Sequence, residues 1–106
     1  MVKEIQSKGE FDQILIESSD KLVVTDFSAS WCGPCKKIAP YYEALCKQYK
    51  DVVFLKVDVD EVADLAEAWE ISSMPTFMFF KKGKKVAVIK GAYAEDLKAK
   101  IEELKC

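Results

Sequence analysis

Apolar residues occur in this chain as short runs that alternate with stripes of helical spacing. Five segments are rich in β-branched and aromatic residues and predict strands, over residues 2–5, 22–27, 52–57, 76–80 and 84–90. Segments 22–27 and 52–57 are apolar at nearly every position, which is typical of central strands that helices cover on both faces. Lys82-Gly83 separates the last two strands and predicts a tight hairpin.

Four helices are predicted from apolar residues that recur at steps of three and four. The first follows Ser7 and Glu10, which fit a capping box. The longest begins near residues 32–34 and carries an apolar stripe, formed by Cys35, Ile38, Tyr42, Leu45, Cys46 and Tyr49. Pro40 should kink this helix, since proline removes a backbone donor and crowds the preceding turn. A shorter helix is expected over 62–69 and a final one over 94–104.

The elements therefore follow the order β-α-β-α-β-α-β-β-α. Long helical crossovers between apolar strands imply parallel pairing, and the final hairpin adds antiparallel strands. The predicted fold class is α/β, with a central mixed sheet of about five strands flanked by four helices. At 106 residues, of which 50% are apolar, the chain fits one domain over residues 1–106.

Charge and hydropathy exclude several classes of function. The 16 basic and 18 acidic residues give a net charge of -2, so no general field attracts nucleic acid or an anionic membrane. The start lacks the apolar core of a signal peptide, and no run approaches the ~18 apolar residues of a membrane span. We therefore expect a soluble protein of a reducing compartment, where cysteines serve redox chemistry, metal binding or core packing.

The strongest candidate for chemistry is the pair Cys32 and Cys35, which has a glycine and a proline between its members. Structural zinc needs four ligands, but the chain has no histidine, and Cys46 and Cys106 are not paired by spacing. A purely structural disulfide that closes so short a loop would add little stability. Redox exchange is therefore favoured, and the other two uses remain as alternatives.

The helical stripe separates the two sulfurs of this pair. Cys35 heads the stripe and should point into the protein. Cys32 precedes the stripe and should lie exposed at the mouth of the helix, where free amides and the positive end of the dipole stabilise a thiolate. Gly33 lets a partner backbone approach, and Pro34 suits the first helical turn. The spacing thus predicts an exposed nucleophile and a protected second thiol.

Three motifs occur in the expected order of elements: Trp-Cys-Gly-Pro-Cys at a strand-to-helix junction, Asp26 in the preceding strand, and Met74-Pro75-Thr76 before a later strand. With the segments "KLVVTDFSASWCGPCKKIAP", "VDVDE" and "MPTFMFFKKGKKV", they resemble the thioredoxin family, in particular its cytosolic animal members. The resemblance covers essentially the whole chain. It implies the thioredoxin fold and a thiol-disulfide oxidoreductase that acts as a general protein-disulfide reductase.

The resemblance also implies roles for individual residues. Cys32 would attack a substrate disulfide, and Cys35 would then attack Cys32, which releases the reduced substrate and leaves a Cys32–Cys35 disulfide. Asp26 matches a buried carboxylate that accepts the Cys35 proton, and desolvation would raise its pKa. The alternative for Asp26 is a strand carboxylate with a local hydrogen-bond partner. Lys56 matches a lysine near that aspartate, with a solvated strand lysine as its alternative.

The residues alone and the family resemblance lead to different expectations for the Met74-Pro75 bond. The residues alone favour a trans bond, with Pro75 as the first residue of a strand. The resemblance instead implies a cis proline against the disulfide, where the preceding backbone pairs with an extended substrate segment. It further implies a shallow, mostly apolar surface that receives substrate, formed by Trp31, Gly33, Pro34, Asp60, Met74, Pro75, Gly91 and Ala92.

No bound cofactor or metal is implied: the redox-active group would be the Cys32–Cys35 disulfide, and NADPH would act only through a thioredoxin reductase. Expected clients are disulfide-containing proteins such as peroxiredoxins and ribonucleotide reductase, with no nucleic acid and no membrane. We expect a cytoplasmic monomer, with the nucleus as a second location and weak homodimer formation as an option.

The rival hypothesis is a redox-dependent binding module that regulates partner proteins through the same groove. A domain of a disulfide isomerase is disfavoured by the Gly-Pro pair and the missing histidine.

Other conspicuous residues favour structural roles. Cys46 shares the stripe with Cys35 and is expected to be a core thiol. Cys106 is the last residue and is expected to be exposed, with a regulatory intermolecular disulfide as the alternative. The crowded lysines of the hairpin are typical of a protected sheet end, and aromatic packing is expected for Trp69, Tyr41 and Tyr42.

Overall fold

The computed structural model describes residues 1–105 and places all five predicted strands in one sheet. The strands are β1 (Lys3–Glu4), β2 (Val23–Ser28), β3 (Val53–Asp58), β4 (Thr76–Lys81) and β5 (Lys84–Lys90). The helices are α1 (Lys8–Glu17), α2 (Gly33–Gln48), α3 (Ala63–Ala68) and α4 (Ala94–Leu104). The predicted order of elements is therefore confirmed, and the boundaries move by one or two residues.

The sheet has the strand order β1-β3-β2-β4-β5. β1 and β2 both pair with β3 in parallel, whereas β4 is antiparallel to both β2 and β5. As predicted, β1, β2 and β3, which the crossovers through α1 and α2 connect, run parallel, and the hairpin makes β4 and β5 antiparallel. The crossover through α3 differs from the prediction, since it leads to β4, which pairs with β2 in antiparallel orientation. The ends of β2 and β3 and the start of β4 consequently meet at one edge of the sheet, which the following sections call the active edge.

Two hydrophobic cores cover the two faces of β2, all of whose residues are buried. On one face Val24 packs with side chains of α2 and α4, including Ile38, Tyr42, Leu45, Leu97 and Ile101. On the other face Val23 and Phe27 pack with side chains of α1 and α3, including Phe11, Leu15 and Leu65. Burial of both faces explains why the β2 sequence is apolar at nearly every position.

The turn between β4 and β5 is the tight hairpin that the sequence predicts. Lys82 and Gly83 both have positive φ angles, 55° and 76°, as the two central residues of a type I′ turn require. Such a turn matches the right-handed twist of the two strands that it joins.

One detail of the helices differs from the predictions, and the kink expected at Pro40 stays a prediction. At the start of α1 the Glu10 amide donates to Ser7 Oγ at 3.1 Å, but the Glu10 carboxylate accepts from the Gln6 amide at 2.7 Å, one residue before the expected donor. Pro40 lies inside α2, which continues through it from residue 33 to residue 48. The proline therefore does not end the helix on which the cysteine pair lies.

The described residues contain no helix that is both long and apolar enough to cross a membrane. Within residues 1–105, no group of three or more cysteine and carboxylate side chains is arranged to hold a metal ion.

Candidate active site

Cys32 and Cys35 form a disulfide at the start of α2, with their Cα atoms 5.3 Å apart. Cys32 is the N-cap residue, and its Sγ accepts a hydrogen bond from the Cys35 amide at 3.2 Å. Pro34 occupies the first turn, where its missing N–H leaves no intrahelical bond unmade. The pair thus lies where free backbone amides and the helix dipole favour negative charge on sulfur.

Both cysteines are only 5% exposed, so the prediction of an exposed Cys32 was wrong. The reason is the surrounding loops: the two cysteines cluster with Ala29, and Val59 and Met74 pack against them. Sequence reasoning missed Ala29 and Val59 as neighbours of the disulfide. The available signal was their position, since each directly follows a parallel strand that ends at the active edge.

Asp26 is a buried carboxylate in the middle of the sheet. Its residue is 1% exposed, and desolvation raises its pKa from the ordinary 3.8 to about 7. The positive charge of Lys56 acts in the opposite direction and only partly offsets this effect. Asp26 Oδ1 has no hydrogen-bond partner among residues 1–105, which argues against the alternative of a locally satisfied strand carboxylate.

Lys56 is the β3 residue paired with Asp26 in the register of the sheet. Paired residues of neighbouring strands project from the same face, so both side chains lie on the side covered by α2. Lys56 and Cys35 line a cavity of about 330 Å³ whose wall also includes Ser28, Lys36 and Asp58. This cavity connects the surroundings of the second cysteine to the half-buried lysine.

Trp31 is fixed across the active edge by a side chain from the next strand-to-helix loop. Its indole is exposed, at 64%, and Nε1 donates to Asp60 Oδ2 at 2.9 Å. The Asp60 amide in turn donates to Asp58 Oδ1 at 2.9 Å. The loop after β2 is therefore tied to the loop after β3, directly beside the disulfide.

The Met74-Pro75 bond is cis. The trans bond favoured by the residues alone was wrong, whereas the cis bond implied by the family resemblance is confirmed. β4 begins one residue later, at Thr76, whose Oγ1 donates to Ser73 O at 2.7 Å and closes the loop before the strand. Met74 packs against the two cysteines, so this loop forms the wall of the site opposite α2.

The loop after β5 forms the next part of the same surface. The Gly91 amide donates to Pro75 O at 2.8 Å, which extends the pairing of β4 and β5 to the active edge. Gly91 has a φ of 116°, and a Cβ built on it would lie 2.5 Å from Tyr93 Cε2. Ala92 and Tyr93 are exposed beside it. A glycine is therefore required here both by the backbone conformation and by the tyrosine ring.

The residues proposed to receive substrate are thus brought together by specific contacts. Trp31 joins Asp60, Met74 joins the cysteines, and Pro75 joins Gly91. Gly33, Pro34 and Ala92 are exposed near the same edge.

The other residues singled out from the sequence have structural contacts. Cys46 is free and buried in the core beneath α2, as expected. Trp69 packs edge-on against Phe80, with ring centroids 5.3 Å apart. The buried Tyr42 hydroxyl donates to Leu55 O at 2.8 Å and lies 3.1 Å from Val24 O, so it bridges β2 and β3. The expectation for Cys106 lies outside the described residues.

Known proteins resemble this chain in both sequence and structure. The family model for thioredoxin matches residues 2–103. Thioredoxin of Oryctolagus cuniculus is 54% identical over 104 residues, which cover 98% of this chain and 99% of that protein. The Fasciola hepatica thioredoxin structure superposes with a TM-score of 0.96 at 38% identity, and covers 98% of this chain and 100% of that one. A Plasmodium falciparum thioredoxin structure gives a TM-score of 0.91 at 50% identity, over 97% of this chain and 99% of that one.

The fold class inferred from the sequence is therefore confirmed as the thioredoxin fold, with a mixed five-stranded sheet and four helices. Relatives that match over nearly their whole length and a redox-active cysteine pair at the start of α2 point to one activity. The chain belongs to the thioredoxin family and is a protein-disulfide reductase, a thiol-disulfide oxidoreductase whose redox-active group is the Cys32–Cys35 disulfide.

Proposed function

We propose that the chain is a general reductant of protein disulfides in which Cys32 is the attacking thiol and Cys35 the resolving thiol. The observation that carries this assignment is the position of Cys32 as the N-cap of α2, with its sulfur accepting the Cys35 amide. That position stabilises negative charge on Cys32, and only the thiolate is an effective nucleophile.

The reaction transfers two electrons in two exchange steps. The Cys32 thiolate attacks one sulfur of the client disulfide, forms a mixed disulfide with it and releases the other client sulfur as a thiolate. The Cys35 thiol then loses its proton and attacks the Cys32 sulfur. This step forms the Cys32–Cys35 disulfide and releases the second client sulfur, which takes up a proton.

Asp26 is proposed as the acceptor of the Cys35 proton. A carboxylate with an ordinary pKa would be too weak a base, but burial raises the pKa of Asp26 to about 7. The cavity lined by Cys35 and Lys56 offers space for water beside the thiol. Lys56 would stabilise the ionised carboxylate before proton transfer.

The client segment is proposed to bind in extended form across the active edge, along the backbone of the Met74-Pro75 loop. Trp31, Gly33, Pro34 and Asp60 would line one side of it, and Gly91 and Ala92 the other. Few client side chains would be bound in such a shallow site, since most of the affinity comes from the main chain. This mode suits many different clients.

The complete cycle requires a partner that reduces the disulfide again. We propose a thioredoxin reductase that draws electrons from NADPH, and clients that include peroxiredoxins and ribonucleotide reductase. Residues 1–106 would act as a single domain in the cytoplasm, with the nucleus as a second location, and as a monomer with at most weak dimer formation.

A second function is supported by the exposed Trp31 indole, which Asp60 holds in a fixed orientation. Exposed aromatic side chains are common anchors of protein interfaces. The same groove could therefore bind a partner protein in one redox state only, without turnover.

Three variants separate these functions. Cys32→Ser should abolish reduction of insulin disulfides, and Cys35→Ser should accumulate client proteins as mixed disulfides on Cys32. Full turnover by Cys32→Ser would refute the proposed nucleophile. Recovery of the same partners by a variant that lacks both cysteines would instead support the binding function.

A further inference from the structure

We propose that Glu4 is a positioning residue of the second exchange step, in which Cys35 attacks the mixed disulfide. The Glu4 carboxylate attracts the Lys56 ammonium and thereby sets the pH at which Asp26 accepts a proton. This inference rests on the proposed function, in which Asp26 is the acceptor of the Cys35 proton. It adds a residue of the edge strand β1, outside the surface proposed to receive the client.

Three charged residues form a row across three adjacent strands. In the register of the sheet, Lys56 of β3 is paired with Asp26 of β2 on one side and with Glu4 of β1 on the other. Paired residues of neighbouring strands project from the same face, so all three side chains lie on the face covered by α2. One ammonium group therefore lies between two carboxylates.

A shared cavity connects this row to the reacting cysteine. Glu4, Lys56 and Cys35 all line the cavity of about 330 Å³ at the start of α2. Glu4 is exposed and Lys56 is half-buried, whereas Asp26 on the inner strand is only 1% exposed. The lysine thus lies between an outer carboxylate in contact with solvent and an inner carboxylate that is shielded from it.

The lysine is bound firmly to neither carboxylate. Among residues 1–105, neither Lys56 nor Glu4 takes part in an ion pair. The long, flexible stem of a lysine allows its ammonium group to approach either neighbour. While Asp26 is protonated, the ammonium is attracted to Glu4, and when Asp26 ionises the two carboxylates compete for it. Glu4 therefore weakens the help that Lys56 gives to the ionised form of Asp26.

The other groups near the row are less suited to this role. Asp58 also lines the cavity, but its Oδ1 already accepts a backbone amide at 2.9 Å. Lys36 of α2 lines the cavity as well and is exposed. Burial raises the pKa of Tyr42 well above the ordinary 10.0, so its hydroxyl stays neutral. The remaining neighbours on this face are the thiols of Cys35 and Cys46 and the apolar side chains of Phe77, Leu97 and Ile101.

Glu4→Gln tests the proposal directly. The substitution removes a negative charge and leaves the Lys56 ammonium to Asp26, and both changes favour the ionised aspartate. The pKa of Asp26 should therefore fall by about 0.5–1, measured from the carbon-13 NMR signal of its carboxyl group in the intact oxidised protein. Asp20→Asn removes an exposed carboxylate just after α1 and should leave this pKa unchanged. An unchanged pKa in Glu4→Gln would overturn the proposal.

A double-mutant cycle shows whether Glu4 acts through the lysine. In a Lys56→Gln background there is no ammonium group to position, so Glu4→Gln should shift the pKa of Asp26 by at most about half as much. Equal shifts in the two backgrounds would mean that Glu4 acts only as a distant charge, and would refute its positioning role.

Kinetics connect the titration to the reaction. Single-turnover reduction of a disulfide peptide by excess reduced protein gives the rate of the second exchange step as a function of pH. In Glu4→Gln the rise of this rate with pH should move to lower pH by as much as the pKa of Asp26 moves. If the pKa moves and the rate profile does not, Asp26 is not the proton acceptor. That result would refute this part of the proposed function, whereas the titrations alone decide whether Glu4 controls Asp26.

Discussion

Asp26 of β2 lies directly opposite Lys56 of β3, and burial shifts the pKa of Asp26 more than the charge of Lys56 does. A lysine on the neighbouring strand would normally lower the pKa of an aspartate. The pKa of Asp26 is nevertheless raised to about 7, because loss of hydration is the larger effect. The sheet therefore contains a group that is costly to ionise at neutral pH, and this has a measurable consequence for stability.

We expect Asp26→Asn to stabilise the oxidised protein at high pH. Well below pH 3.8 the carboxyl group is protonated in both the folded and unfolded states and has no pH-dependent effect. Between pH 3.8 and about 7 the folded protein keeps a proton that the unfolded chain loses, so stability decreases as pH rises. The variant should therefore be more stable by up to about 4 kcal/mol at pH 8, and by little at pH 4.

Denaturant unfolding across this pH range measures the effect. Asp20→Asn is the control, since Asp20 is an exposed carboxylate just after α1. A stability difference between Asp26→Asn and the parent that did not change with pH would contradict the raised pKa.

Gly91→Ala should destabilise the fold and weaken client binding. The new Cβ would lie 2.5 Å from Tyr93 Cε2, and the φ of 116° is unfavourable for any residue with a side chain. Strain of this kind costs about 1–3 kcal/mol, apart from displacement of the ring. Thermal unfolding measures the loss, with Gly33→Ala as the control because a Cβ at Gly33 meets nothing within 4 Å. Equal stability of Gly91→Ala and Gly33→Ala would contradict this explanation.

Asp60→Ala should release the Trp31 indole. Loss of the 2.9 Å hydrogen bond leaves the ring free to turn over the active edge, so kcat/KM for a protein disulfide should fall about threefold to fivefold. Tryptophan fluorescence of the reduced protein should change with it. Glu61→Ala removes a neighbouring exposed charge that has no such bond, and a similar loss there would indicate a general effect of charge.

Tyr42→Phe should lower stability by about 1–2 kcal/mol. The substitution keeps the ring against Phe54 and Phe77 but leaves two strand carbonyls without the hydroxyl that bridges them. Tyr41→Phe, on the same helix but only partly buried, should change stability by less than about 0.5 kcal/mol. Comparing the two by denaturant unfolding isolates the buried hydroxyl, and matching values would exclude a contribution from the bridge.

The sequence predicts those features that depend on local periodicity. Apolar runs identify β2 and β3, whereas the burial of Asp26 was implied by the family resemblance. The position of Cys32 at the mouth of α2 follows from the stripe that begins at Cys35.

Features that need contacts between distant segments could not be predicted in this way. Cys32 is buried by Val59 and Met74, which lie in two other loops. The partner of Trp31 is 29 positions away, and the residues around Met74-Pro75 give no local reason for a cis bond. For the last of these, family resemblance supplied what the residues themselves did not.

The hairpin at Lys82-Gly83 has a practical consequence for experiments on this protein. β4 starts at the active edge and runs away from it, so the turn that ends β4 is at the far end of the molecule from the disulfide. Exposed turn tips tolerate inserted residues better than any other part of a sheet. This turn is therefore the place to introduce a fluorophore, an affinity tag or a surface tether, which would leave the active edge open to large client proteins.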